Sequence, residues 1–161
     1  MSPLAVRSEL RRCRGSSTVE FALVLPLLLV LLFAIIEFGF LFKDQMAVQQ
    51  AAREGARAAG VGRPVAEITA RLQAGAATLT LTSLTNDKMS RYYNSGAWTT
   101  WVNIADRSDG SGYNDAPAGG QVRVRCYYTH ALVTGPLFAN LIGRSGATSI
   151  TLYGTMIMRR E

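Results

Sequence analysis

The sequence has few of the residues that build catalytic and metal sites. It contains two cysteines, Cys13 and Cys126, and one histidine, His130. Their spacing fits no zinc site, and two cysteines imply no disulfide framework. The sequence also lacks a nucleophile elbow, a phosphate-binding loop and a recognisable Ser-His-Asp arrangement, which argues against an anchored hydrolase. We therefore expect a protein that is not an enzyme and that needs neither metal nor cofactor.

Acidic residues are also scarce, with 11 Asp and Glu against 17 Lys and Arg, for a net charge of +6. About half of this excess lies before residue 16, where four arginines face one glutamate: Arg7, Arg11, Arg12 and Arg14. Such a cluster is typical of topology charges beside a membrane and is not by itself a nucleic-acid-binding surface. The other basic and aromatic grouping, Arg123 with Tyr127 and Tyr128, is better explained by strand alternation. We expect no nucleic-acid partner.

A long apolar run follows the basic cluster. Residues 21–36 carry no charge, and residues 38–42 extend the run beyond Glu37. A helix over residues 19–42 would be about 36 Å long, enough for a lipid bilayer core of ~30 Å. Because the arginines precede the run and only Lys43 directly follows it, the N-terminus should be cytoplasmic and the rest extracytoplasmic. The two cysteines then lie on opposite sides of the membrane and cannot pair.

Other interpretations of this segment fit less well. The run is longer than the ~7–15 residues typical of a cleaved signal peptide, and helix-forming sequence continues directly out of it. Cys13 precedes the run, which excludes a lipoprotein signal, and Arg11-Arg12 match a twin-arginine signal weakly. Pro26 should bend the helix, and Glu37 should reach the membrane interface. Glu20 lies in the first turn of the expected helix, where the helix dipole favours an acid.

Glu20 also has a functional interpretation. Gly15 separates the basic cluster from Ser16, and Glu20-Phe21 follow in the apolar helix. If the chain is cut after Gly15, Ser16 is the new amino terminus and Glu20 the fifth residue. This pattern resembles the class III (type IV) prepilin signal, which a membrane prepilin peptidase cuts. In that family the acid neutralises the new terminal ammonium, commonly that of a neighbouring subunit, and such a charge is costly when left alone in an apolar environment.

The resemblance extends along the helix to the TadE-like pseudopilins of the tight-adherence (Flp, type IVc) pilus system. The matching residues are Gly15, Glu20-Phe21, Pro26, Glu37-Phe38-Gly39 and the segment 51–57. Phe40-Leu41 depart from the family, where a more polar residue is common, and this affects the position of the membrane exit. The resemblance implies a minor, non-catalytic pilus-assembly component in the bacterial inner membrane, with the pilus or cell surface as a second location left open.

The same resemblance implies the partners. They are the prepilin peptidase, other pseudopilins of the TadF or TadG type, the main Flp pilin, the inner-membrane assembly platform with its secretion ATPase, and the lipid bilayer. An alternative remains open, in which the chain is an uncleaved, single-pass, membrane-anchored binding module or adhesin. Cleavage after Gly15 separates the two.

The expected fold class is α+β, with a long N-terminal transmembrane helix that continues into a stalk packed on a small antiparallel sheet. We divide the chain into a basic prepilin leader (1–15), a transmembrane helix (16–42), a helix continuation (43–60) and a small extracytoplasmic domain (61–161), called the head below. Gly60 to Gly62 should end the long helix, and Pro64 should open a second, with Val65, Ile68 and Leu72 on one face. The alanine-rich surface of residues 43–59 should pack on the head.

Within the head, alternation predicts strands at residues 78–82, 98–104, 121–133 and 147–158, the last two paired. In the third strand, Cys126 should be a buried apolar residue. His130 should be structural, because no catalytic Ser/Asp arrangement around it is recognisable in the sequence. Residues 106–120 should form a solvated loop whose oxygens do not fit the EF-hand spacing. Residues 136–142 suggest a helical turn.

Overall fold

The computed structural model describes residues 13–136, 140, 143 and 145–161, with side chains described from Ser17 onward. One helix, α1 (Cys13–Gly60), runs unbroken for 48 residues and includes Pro26. It ends where expected, because Gly60 is followed by Gly62 in the left-handed conformation (φ +88°). The apolar run and its continuation are therefore a single element. The expected turn at residues 136–142 falls largely outside the described residues.

The second half of α1 packs on the head through small side chains. Ala51, Ala52, Ala56 and Ala59 are fully or almost fully buried, as the sequence predicted for the alanine-rich surface. Glycines in the head allow its backbone to come close to the backbone of α1. A Cβ on Gly154 would lie 2.8 Å from the carbonyl oxygen of Val48, so the sheet lies directly on the helix backbone.

Helix α2 (Val65–Gly75) is the second element packed on α1. Pro64 precedes it in an extended conformation, and Ile68 and Leu72 are completely buried. Gly75 lies against Ala51, where an added Cβ would be 2.9 Å from the alanine Cα. The prediction of a short amphipathic helix opened by Pro64 is confirmed.

A four-stranded antiparallel sheet covers the same side of α1. Its strands are β1 (Leu84–Arg91), β4 (Val102–Asn103), β5 (Gln121–Ala131) and β6 (Ser149–Arg159), in the order β4-β1-β5-β6. Strands β2 (Tyr93–Asn94) and β3 (Ala97–Trp98) form a separate hairpin. Val122, Val124 and Cys126 of β5 are fully buried. The expected pairing of the last two strands is confirmed, with Gln121 opposite Arg159 and Ala131 opposite Ser149.

Two predicted strands were wrong. Residues 78–82 form turns that lead into a 3₁₀ helix (Leu81–Ser83), and the strand is the next segment, β1. Its residues on the side of the core include Asn86, Lys88 and Ser90, opposite Cys126, Val124 and Val122. No apolar alternation marks β1, and its pairing with β5 decides its conformation.

The predicted strand at residues 98–104 is divided between the hairpin and the main sheet. Thr99 closes the hairpin, because its backbone N–H donates to the carbonyl of Tyr92 while its side-chain oxygen accepts from the N–H of Tyr92. Only Val102 and Asn103 pair with β1. The chain must leave one sheet to enter the other, and this interrupts the run.

The sequence predicted a solvated loop at residues 106–120, but part of this loop is buried. Asn114 is completely buried, and its side-chain amide donates to the carbonyls of Ala59 (3.2 Å) and Arg63 (2.9 Å). From the end of the chain, Arg160 donates to the carbonyl of Gly60 at 3.2 Å. These donors satisfy carbonyls at the end of α1 that a helix leaves unpaired.

The contact at Gly154 gives a first prediction. We expect Gly154→Ala to destabilise the head by about 1–3 kcal/mol, because the new methyl group would overlap the backbone of α1. Urea unfolding of the purified protein in detergent, followed by circular dichroism, measures the effect. The matched control is Gly39→Ala on α1, where an added Cβ meets nothing within 4 Å. Equal stability of the two variants would contradict close packing at Gly154.

Candidate functional site

The predicted processing site lies near the N-terminal end of the described part of α1. This part begins at Cys13, so the backbones of Gly15 and Ser16 are helical. Glu20 and Phe21 follow, both exposed. Of the predicted topology charges, Arg7, Arg11 and Arg12 and the side chain of Arg14 lie outside the described residues. The residues before Cys13 lie outside them too, so the placement of Glu20 in the first turn of the helix, beside the positive end of its dipole, stays a prediction.

The first part of α1 is bare. Among the described residues its apolar side chains are exposed, and Leu23 and Leu27 are 75% and 70% exposed. The most apolar 18-residue window has a mean hydropathy of 2.9 and no buried residue. Within the described residues, this is the one helix long and apolar enough to cross a membrane. The head begins to cover α1 at Ala34, which packs on Leu132.

Glu37 marks the point where the bare helix meets the head. Its carboxylate is fully buried and accepts three hydrogen bonds from the chain after β5. The backbone N–H of Val133 donates at 3.0 Å, and Thr134 donates from its N–H and its hydroxyl, each at 2.9 Å. We expected Glu37 to reach a membrane interface. The head covers it instead and satisfies its oxygens.

His130 lies between Glu37 and a second acid of the same helix, Asp44. The imidazole Nδ1 is 2.7 Å from the Asp44 carboxylate, and Nε2 is 3.5 Å from that of Glu37. The histidine and both acids are buried. No Ser/Asp arrangement around His130 was recognisable in the sequence, and the structure places Asp44 beside it. Sequence reasoning missed the pair because 86 residues separate Asp44 from His130.

We call Glu37, Asp44 and His130 the joint. Its geometry suits a cross-link better than a metal site, because the two imidazole nitrogens face different carboxylates and do not converge on one point. Across the described part of the chain, no group of three His, Cys, Asp or Glu side chains could hold a metal ion. His130 of β5 contacts α1 at Glu37 and at Asp44, which are two helical turns apart. The joint therefore fixes the head to the helix.

Cys126 is buried in β5, the strand that also contains His130, and we assign it no chemical role. Burial raises the pKa of its thiol to about 12, so almost none of it is thiolate near neutral pH. The expectation of a small, buried, apolar residue is confirmed.

The face of the sheet away from α1 combines arginines with aromatic rings. Trp101 has the guanidinium of Arg123 4.2 Å from its ring centre and that of Arg91 at 4.5 Å. Trp98 is 4.9 Å from Arg91. Cation–π contacts of this kind keep the arginines together on the surface. The sequence did not indicate this cluster, because only the pairing of β1 with β5 brings Arg123 close to Arg91 and Trp101.

The described residues thus define a class of protein: a long helix, apolar and bare at its beginning, whose second half is packed into a small antiparallel α+β head. The family model of the TadE-like protein matches residues 15–57. This part of the chain is TadE-like, which confirms the resemblance seen in the sequence. The match begins at Gly15, ends within α1, and covers about a quarter of the chain. No curated protein and no solved structure matches it.

The joint gives a second prediction. We expect Glu37→Ala to raise the hydrogen-exchange rates of the Val133 and Thr134 amides by about 10–100-fold, because each loses a charged acceptor. Exchange of the purified protein in lipid nanodiscs, read by mass spectrometry, measures this.

The matched control for the joint is Glu54→Ala, on the same helix, since Glu54 accepts a hydrogen bond from Gln50 four residues earlier, within α1 itself. It should leave both amides unchanged. If the Val133 and Thr134 amides exchanged at the same rate in both variants, the joint would have no role in holding the head.

Proposed function

We propose that this protein is a minor, non-catalytic pseudopilin of a tight-adherence (Flp-type) pilus, processed by a prepilin peptidase between Gly15 and Ser16. One observation carries the proposal: the TadE-like match begins at Gly15 and runs along α1 through the bare apolar segment to Arg57. The beginning of the match coincides with the boundary between basic leader and apolar helix. Under this proposal the one covalent change is made to the chain by another enzyme.

Cleavage would change the position of Glu20 relative to the helix end. In the uncut chain α1 already includes Cys13, seven residues before Glu20. After cleavage Ser16 would be the first residue, and Glu20, four residues on, would lie one turn away on the same face. A carboxylate there can neutralise the new ammonium, in its own chain or in a neighbour. In apolar surroundings either charge alone is costly.

The bare segment supports storage in the membrane followed by assembly. From Ser17 to Phe33 it is about 25 Å long, and apolar residues such as Ile35 and Phe42 remain exposed beyond it. Lipid can cover this surface in a single inserted chain, and other helices can cover it in a filament. By the positive-inside rule the N-terminus would be cytoplasmic and the head extracytoplasmic, in the bacterial inner membrane.

The proposed partners follow from the same assignment. The peptidase would act on the leader, and the assembly platform with its ATPase would act on the membrane-inserted chain. Other pseudopilins and the main Flp pilin would pack against α1. These steps act on the leader and on α1, and the attachment at the joint would carry the head along with the helix.

A second function has one observation in its favour. The arginine and tryptophan cluster on the outer sheet face would suit a binding module or adhesin that keeps its leader as a membrane anchor. The two functions differ at the N-terminus, because the anchored module would remain uncut.

Cleavage is the third prediction. Co-expression with a prepilin peptidase should remove Met1 to Gly15, and intact mass should give a chain that begins at Ser16. Thiol labelling of the folded product should then fail, because Cys13 is lost and Cys126 is buried.

Gly15→Val should block the cut, since a branched side chain hinders approach to the backbone. The control is a peptidase shown to be active on another prepilin. An unchanged N-terminus in its presence would overturn the processing proposal and favour the anchored module.

Glu20 gives the fourth prediction. Glu20→Ala should insert into the membrane normally, because it removes a charge that is costly in lipid. Assembly should fail, because the terminal ammonium loses a partner worth about 3–5 kcal/mol when buried. Counts of pili per cell by electron microscopy, with membrane fractionation, measure both effects. Glu67→Ala, on α2 of the head, should leave the counts unchanged, whereas normal piliation in Glu20→Ala would remove Glu20 from the mechanism.

A further inference from the structure

Strand β6 forms an open edge of the main sheet. It has eleven residues and pairs with β5 in one continuous register, while in the described residues no strand lies on its other side. Natural proteins protect such edges with short strands, charges, prolines or bulges. The opposite edge follows this rule, since β4 has only two residues and the rest of that edge, in β1, includes the charged Asp87 and Lys88. From Ser149 to Met158, β6 has no charge, no proline and no interruption of its register.

One hydrogen bond establishes which backbone groups of β6 face outward. The side chain of Gln45, on α1, donates to the carbonyl of Tyr153 at 3.0 Å. In an antiparallel ladder the N–H and C=O of one residue point to the same side, and the side alternates along the strand. Thr151, Tyr153, Thr155 and Ile157 therefore direct their N–H and C=O groups away from β5. Gln45 donates to the carbonyl of Tyr153, an acceptor to which the backbone of a further strand would donate.

A groove lies along this edge, between β6 and α1. It has a volume of about 520 Å³ and is lined on the helix side by Gln45, Gln49 and Arg53, and on the strand side by residues 153–156. Arg53 is exposed, and the lining includes a cation but no acid. A strand added here would turn alternate side chains toward these polar groups and the others toward the exposed ring of Tyr153 and side chain of Ile157.

The direction of β6 argues against antiparallel pairing with a second copy of the chain. Ile150, at its beginning, packs with Ala34 of α1 around Leu132, and beyond its end Arg160 bonds to Gly60. Strand and helix thus run in the same direction. Antiparallel pairing of two β6 strands about a two-fold axis would reverse one α1. Two copies inserted in one bilayer cannot adopt that arrangement, since their helices must point the same way.

We propose that β6 accepts an extended segment of a different polypeptide, which adds a fifth strand to the sheet by β-augmentation. The segment would alternate acidic or polar residues, facing Arg53 and the glutamines, with apolar residues beside Tyr153 and Ile157. Main-chain hydrogen bonds to the outward groups would hold it. The proposal depends on the proposed function only for the place where the partner is found, among the proteins of the pilus machinery.

Hydrogen exchange at single amides gives the fifth prediction. In the purified full chain in lipid nanodiscs, the amides of Thr151, Tyr153, Thr155 and Ile157 should exchange about 100-fold faster than those of Leu152, Met156 and Met158, which bond to β5. In membranes of cells that produce the whole machinery, the outward amides should slow to the rate of the inward ones. The inward amides are the internal control.

Three results would overturn the edge proposal: outward amides that stay fast in the complete membranes, outward amides already slow in the dilute purified chain, or protection that rises with the concentration of the purified chain alone, which indicates self-association. The N-terminal peptide of the same sample reports cleavage at Gly15. A chain that begins at Ser16 with fast outward amides defeats the edge proposal alone. An uncut chain defeats the proposed processing, while the amides still report on the edge.

A pair of variants tests the backbone bonds directly. Thr155→Pro removes one outward N–H, a change that edge strands tolerate, and should reduce the protection of Tyr153 and Ile157 in complete membranes by about tenfold. Thr155→Val keeps the N–H and the branched shape and should behave as the wild type. Equal protection in both variants would mean that the partner contacts side chains and not the strand edge. The exchange of the unmodified chain decides the proposal if the proline variant does not fold.

Discussion

The buried carboxylate of Glu37 is the constraint on which the arrangement of helix and head depends. It lies in an apolar part of α1, where an unpaired charge would be very costly. The chain after β5 surrounds it with two backbone N–H groups and a hydroxyl, and His130 adds a contact shared with Asp44. These bonds are possible only with the head in one position on α1. The acid therefore sets where the bare helix ends.

Small residues then fix the rest of the interface. Between Val48 and Gly60, α1 presents mostly alanine and glycine to the head, and Gly75 and Gly154 approach from α2 and β6. Contacts between backbones leave little room for sliding, because any displacement brings main-chain atoms into collision. Asn114 and Arg160 close the far end of the helix. Helix and head are consequently one body from Ala34 onward, with the bare apolar segment projecting from it.

This division gives the two proposals a common physical basis. Among the described residues, the bare segment has an exposed apolar surface, and no strand lies beside the outward backbone donors and acceptors of β6. Both are unusual in a protein that acts alone. In the proposed pseudopilin, the helix would be covered by lipid and then by other subunits, and the edge by a strand of another chain. The rigid joint would keep the edge at a fixed height above the membrane.

The sequence by itself determined the features that depend on local order along the chain. Composition and periodicity predicted the long helix, its end at Gly60, the second helix after Pro64, and strands β5 and β6, because apolar residues recur there with the helix or strand period. The motif from Gly15 to Arg57 indicated the family.

Only the tertiary structure decided the features that depend on distant partners. Strand β1 has polar residues toward the core and is a strand because β5 lies beside it. Asp44 and His130 meet across 86 residues, and Asn114 is buried because it satisfies the end of α1. A hydrogen bond between distant residues leaves no periodic trace in either segment, so the joint and the open edge of β6 became visible only when the fold had brought their parts together.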